Sequence, residues 1–154
     1  MNYWILQHNP AVYIGIPDYP SEVPNNLDYW CIRCHTKHVR KCDQVFVWHS
    51  GKGRGIHNIG KIISVEPHGR KAQRYLGLMW ASDVHNYEPE ARTKLGQYPR
   101  ILIKREYKND FQSYFSEDEL KEAGFDNLPV ARGGIFWLDS TVGEQLLQYI
   151  KEKI

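Results

Sequence analysis

The chain has no apolar run approaching the ~20 residues of a membrane-spanning helix. Its N-terminus carries neither a positive n-region nor a long apolar core. A cytoplasmic protein that does not enter a membrane is therefore expected. Cysteine is scarce: Cys31, Cys34 and Cys42 make an odd number, so reduced thiols are expected rather than a disulfide framework. The first 28 residues lack Lys and Arg altogether. No internal repeat, no low-complexity segment, no Gly-x-Ser-x-Gly elbow and no His-Glu-x-x-His are present, which leaves the common hydrolase and zinc-protease signatures unmatched.

What is there fits one domain spanning 1–154, long enough to bury a core of its own. Hydrophobic residues at 42% and charged residues at 25% are ordinary for a globular chain. Aromatics at 13% are not: five Trp and ten Tyr exceed what such a core needs, so some should line a surface or a pocket. Net charge is +2, unevenly spread. From Tyr29 to Tyr75 ten Lys and Arg face two acids, a local +8, which leaves −6 for the remainder. Such asymmetry points to an anionic partner, nucleic acid first, with a solvated charged face as the plain alternative.

The richest stretch is Trp30–Val65. Gln44–His49 and Ile56–Val65 read as paired strands around the turn from His49 to Gly55. Alternation puts Val45, Val47 and His49 on one face, and Phe46, Trp48 and Ser50 on the other. Both faces are apolar, as in a covered or closed sheet. Further strands are expected at Tyr3–Leu6, Arg100–Tyr107 and Ile135–Leu138, and an extended segment at Tyr29–Arg33. Lys71–Ala81 reads as a strand or short helix, and 83–98 as a loop. Four prolines between Pro10 and Pro24 exclude a long regular element there. Ser116 and Glu119 form a capping box for a helix ending at Gly124. Thr141 and Glu144 form a second, opening an amphipathic helix that buries Val142, Leu146, Leu147, Ile150 and Ile154.

Three motifs in the stretch suggest other chemistry. Cys31-Ile32-Arg33-Cys34-His35 matches covalent haem attachment, which goes with export, and no export signal is visible. With His38 and Cys42 the same residues resemble zinc ligands. Structural zinc needs four converging ligands, usually in two separated pairs, and all candidates here fall within twelve residues. Gly51-x-Gly53-x-Gly55 resembles a phosphate loop, but a strand follows it where such loops run into a helix. No metal and no cofactor are expected. His49 and Ser50 point to opposite faces, a poor base–nucleophile pair.

Several short patterns in order resemble the EVE domain of the PUA-like superfamily. They are Trp30, Ile32 and Arg33; Asp43, Val45-Phe46-Val47-Trp48 and Ser50-Gly51; Gly55-Ile56, Ile59-Gly60 and Ile62; Tyr3-Trp4-Ile5-Leu6 with Asn9-Pro10; and 127–134, Asn-Leu-Pro-Val-Ala-Arg-Gly-Gly. The resemblance spans nearly the whole chain. It implies an α+β, PUA-like fold: a bent, partly closed β-barrel of five or six strands with flanking short helices, similar to YTH domains. It also implies a reader of modified bases, modified cytosine in DNA especially, and not an enzyme. A separate effector protein would act on the signal, and the reader itself is expected to be a monomer. Two alternatives stand beside it: RNA binding on the same scaffold, and a small hydrolase or nucleotide-processing enzyme. Cys34 departs from the polar residue many relatives carry. Cys42 departs from a frequent Gly, which implies that the turn here does not need a positive φ.

For a base reader the expected pocket residues are Trp30 and Trp48 as walls, with His49, Ser50, Arg33, Trp4 and Trp80 around them. Lys52, Arg54 and Arg33 are expected on phosphates. Flipping a base costs a few kcal/mol, and stacking returns ~1–3 kcal/mol per base. One methyl discriminates by only ~1–3 kcal/mol, so further affinity must come from the basic rim.

Overall fold

Gln44–His49 forms a strand with the bounds its alternation set, and the sheet is built outward from it. The structure is a computed structural model that describes residues 1–8, 27–31, 37–66, 100–107, 111–130 and 134–154. Its strands are β1 (Tyr3–His8), β2 (Leu27–Cys31), β3 (Gln44–His49), β4 (Gly55–Glu66), β5 (Arg100–Arg105), β6 (Phe115–Ser116) and β7 (Gly134–Leu138). Among the described residues two helices follow the later strands, α1 (Glu117–Glu122) and α2 (Ser140–Lys153). The sheet runs β2-β5-β4-β3-β1-β7, with β6 pairing the start of β4 off that path. β1 lies parallel to β3, and the other pairs are antiparallel.

β4 is the strand that bends the sheet. It pairs β3 and β6 at its beginning and β5 further on. Two register shifts leave His57 extra against β3 and Ile63 extra against β5. Each such bulge kinks the strand and increases its twist. The result is the bent, mixed sheet of a partly closed barrel; among the described residues β2 and β7 do not pair.

The alternation in β3 separates two cores. Phe46 and Trp48 join Ile5, Ile56, Ile59 and Phe115, and this side is covered by Leu120 of α1 with Leu146 and Ile150 of α2. Val45 faces the other way, with Trp4, Leu6, Val39, Ile62, Ile101, Ile103 and Ile135. Burying each of these large side chains stabilises the fold by about 1.5–3 kcal/mol.

Buried Asp43, 2% exposed, ties the start of the sheet together. Its Oδ2 accepts from Trp4 Nε1 and the Arg40 amide, both at 2.9 Å, and from Asn2 Nδ2 at 3.3 Å. Its Oδ1 accepts from the Asn2 amide at 2.9 Å.

Three expectations about local structure need correction. Cys42 has a φ of +73°, so the turn does require the left-handed backbone that a Gly adopts without strain. The turn is held there because the Cys42 amide donates to Ile62 O at 2.7 Å and the Asp43 amide to Arg40 O at 3.2 Å. Helix α2 begins at Ser140 and its cap is Asp139, not Thr141. The Asp139 carboxylate accepts from the amides of Thr141 and Val142, at 2.9 and 3.3 Å, and its charge suits a helix N-terminus. Ile154 lies past the helix end and is exposed, whereas Leu146 and Ile150 are buried.

The cap of α1 is the expected Ser116, whose hydroxyl accepts from the Glu119 amide at 3.1 Å. β1 runs two residues beyond Leu6, and β2 covers Tyr29–Cys31 of the expected extended segment, whose last two residues lie outside the described ones. The readings for 10–26, 71–81 and 83–98 lie outside the described residues.

Candidate nucleic-acid interface

Five residues, Ser50–Arg54, join β3 to β4, and both Gly51 and Gly53 sit at positive φ, +81° and +76°. That geometry explains the glycine spacing as turn chemistry. The turn is anchored from the other side: the Glu117 amide donates to Arg54 O at 3.0 Å, bringing β6 and α1 against it.

The extra residue of the first bulge, His57, stacks on His49 with ring centroids 3.8 Å apart and planes at 11°. Its other side stacks on Tyr114, at 4.3 Å and 9°. Nε2 of His57 donates to the Gly53 carbonyl at 2.8 Å, which locks the ring to the turn. The column therefore joins the end of β3, the bulge of β4 and the residue before β6. Such ring pairs contribute about 0.5–1.5 kcal/mol each beyond their burial.

The expected site residues are distributed as follows. Trp48 is 1% exposed within the helix-covered core. Trp30, on β2, is partly buried against the opposite core. The two indoles thus lie on opposite faces of the sheet, three strands apart in its order, and are not facing walls of one cavity. The reason is parity: Trp48 shares the face of Phe46, while Trp30 pairs with Ile101 on the face of Ile103. Trp4, also 1% exposed, is a core residue on Trp30's side, its N–H held by Asp43. His49 and Ser50 are half-buried at the head of the turn. Arg33 and Trp80 lie outside the described residues.

On the rim, Lys52 is exposed and makes no ion pair among the described residues. Arg54 is exposed but engaged: its Nε lies 3.1 Å from Glu117 Oε2, and Glu117 also meets Lys121 at 3.4 Å. Part of its charge is therefore already balanced within the domain. Among the described residues no group of three His, Cys, Asp or Glu is placed to hold a metal ion, and no helix is long and apolar enough to cross a membrane.

Sequence reasoning missed two members of the column. His57 was visible only as a strand residue, because alternation cannot locate a bulge. Tyr114 had no signal beyond being aromatic, since β6 is two residues long.

This bent mixed sheet, with its long kinked strand and flanking helices, is a PUA-like fold, and the expected likeness to the EVE domain holds at the level of the fold. No protein-family model matches the chain, and no curated protein matches it. Solved structures do. Human THYN1 protein, solved in complex with 5-methylcytosine-containing DNA, superposes with a TM-score of 0.62 at 15% identity, over 97% of each chain. The DUF55 domain of human thymocyte nuclear protein 1 gives 0.59 at 15% identity, over 99% of each. An ASCH protein from Zymomonas mobilis gives 0.58 at 9% identity, covering 96% of this chain and 94% of that one.

Proposed function

We propose that this domain binds nucleic acid and reads a modified base, with modified cytosine in DNA as the preferred ligand, and that it is a binding module and not an enzyme. The observation that carries the reading is the likeness, over 97% of each chain, to human THYN1 protein, whose structure holds 5-methylcytosine-containing DNA. The chain's own features are compatible with it: an exposed lysine on a glycine turn, an aromatic column beside it, and a half-buried Trp30 on the other edge of the sheet.

In this reading the base is held on the side of the sheet that carries Trp30, with His49 and Ser50 at the margin and Lys52 on phosphate. Arg54 contributes only where a phosphate displaces Glu117 from it. Trp48 supports the site from the core without touching the ligand. Arg33 and Trp80 keep the places expected for them, Arg33 at the pocket and on phosphate and Trp80 beside the walls. An effector, if one acts, is a separate protein.

Fluorescence anisotropy across matched oligonucleotides tests the proposal. DNA duplexes carrying cytosine, 5-methylcytosine or 5-hydroxymethylcytosine are compared with the same sequences as single strands and as RNA. The expected result is tighter binding to one modified DNA, by about 5- to 100-fold for a methyl-sized difference, and its loss in Trp30→Ala. Equal weak binding to all sequences rejects base reading. A preference for RNA moves the function to the alternative RNA-binding use of the scaffold. Turnover of any nucleoside or nucleotide in a product screen would overturn the non-enzymatic assignment.

A further inference from the structure

We propose that the exposed end of the His49–His57–Tyr114 column is a stacking platform for a second, unpaired nucleobase, distinct from the place that holds the modified one. The proposal rests on the nucleic-acid reading above and adds a site to it.

The column differs from the ring packing around Phe111 and Phe115. There Tyr107–Phe111, Phe111–Phe115 and Phe115–Tyr149 meet edge-on or steeply tilted, at 73°, 86° and 64°. In the column the planes are within 11° of parallel, and two of the three rings are imidazoles. The hydrogen bond from His57 to Gly53 prevents the middle ring from turning out of register. Three chain segments thus converge to keep flat rings face to face at a polar surface.

Tyr114 ends the column and is 37% exposed. One face of its phenol is taken by His57, and its hydroxyl lies beside Gly53, where a Cβ would stand 3.5 Å away. Among the described residues no second ring stacks on it, and the exposed part of the ring is accessible to a ligand. The occupant such a face selects is another flat π-system, and the ring spacings of 3.8 and 4.3 Å approach the 3.4 Å step of stacked bases along one strand. Lys52, one residue from Gly53, supplies the positive charge that a nucleotide's phosphate needs. A base flipped out of a duplex leaves a neighbour or an opposite partner unstacked, and a platform on the rim compensates that loss. Every base has a π-face, so the platform adds affinity without reading sequence.

Tyr114 variants test this in the same anisotropy assay, with a 5-methylcytosine duplex and its unmodified twin as probes. Tyr114→Phe and Tyr114→His keep an aromatic face and should bind within about twofold of wild type. Tyr114→Leu and Tyr114→Ala should weaken both probes by about 5- to 100-fold, the loss of one stacked base. The ratio between probes and the salt slope should stay unchanged. Tyr114→Leu binding like wild type, with circular dichroism unchanged, overturns the platform and leaves the proposed function standing. A fall confined to the modified probe places Tyr114 in the base pocket itself and also overturns it. Wild-type protein that binds neither probe, in DNA or RNA form, removes both proposals.

Discussion

Replacing Asp43 measures how much of the fold depends on one buried carboxylate. Four donors converge on it, and the Trp4 indole N–H among them is buried in the core. Asp43→Ala leaves that indole donor without a partner, at about 1–3 kcal/mol. The Asn2 and Arg40 amides are part-buried and can recover water, so each loses about 0.5–1.5 kcal/mol. Together the expected cost is about 2–6 kcal/mol, a large share of the 5–15 kcal/mol typical of a folded domain. Asp43→Asn should cost about 1–2 kcal/mol less, because its single carbonyl can stand in for Oδ2. Its NH2 then faces the Asn2 amide, a donor against a donor. Urea unfolding followed by tryptophan fluorescence reads the effect as a midpoint lower by about 2 M for Asp43→Ala. The decisive comparison repeats Asp43→Ala in a Trp4→Phe background, where the orphaned indole donor no longer exists. There the cost should shrink by about 1–2 kcal/mol. A cost below about 1 kcal/mol, or strictly additive single and double mutants, would refute the hub.

Three further outcomes are expected. Cys42→Gly relieves a left-handed residue with a Cβ, worth about 1–2 kcal/mol, against a gain of chain entropy on unfolding. The net should be a stabilisation of about 0.5–1 kcal/mol in thermal or urea melts. Gly143→Ala should destabilise by about 1–3 kcal/mol despite alanine's better helix propensity. A Cβ at 143 would overlap Cβ, Cγ and Cδ1 of Tyr3, so the variant should melt earlier, and a Tyr3→Ala partner substitution should recover part of the loss. Burial of the Tyr3 ring, helped by the nearby Glu144 carboxylate, raises its hydroxyl above the ordinary value of 10.0. A raised folded pKa means the unfolded chain releases that proton first. Its stabilisation is complete below pH 10 and fades as pH rises toward the folded value. Urea midpoints between pH 8 and 11 should fall less steeply in Tyr3→Phe, and an unchanged slope would show that Tyr3 does not contribute.

The geometry of the candidate site was legible in part. The glycine turn, with Lys52 exposed on it and His49 and Ser50 half-buried at its head, follows from local pattern, because turn chemistry and strand ends are written in consecutive residues. Trp30 is expected as a wall from the family resemblance, and Trp48 from its place on the central strand beside the turn. Whether two such residues face one another depends on which strands lie between them, and β5, which pairs β2, comes from about seventy residues further along the chain. Local pattern offers Arg54 only as a phosphate contact, because its partner, Glu117, belongs to a helix that folds back on the turn.

The sequence alone determined the elements whose signal is local. Strand β3 and the core of β1, β4, β5 and β7, the Ser116 cap and the amphipathic face of α2 follow from periodicity and capping chemistry, which act over a turn or two of chain. It also determined that β3 would be apolar on both faces. Tertiary structure decided what depends on distant partners. It set β1 parallel to β3, sent Trp48 and Trp30 to opposite cores, forced Cys42 into a left-handed turn under Ile62, and inserted His57 as an extra residue. A bulge resets which face every later side chain takes, and only the register with β3 says where it falls. The ring column exists for that reason, and no count along the chain could have assembled it.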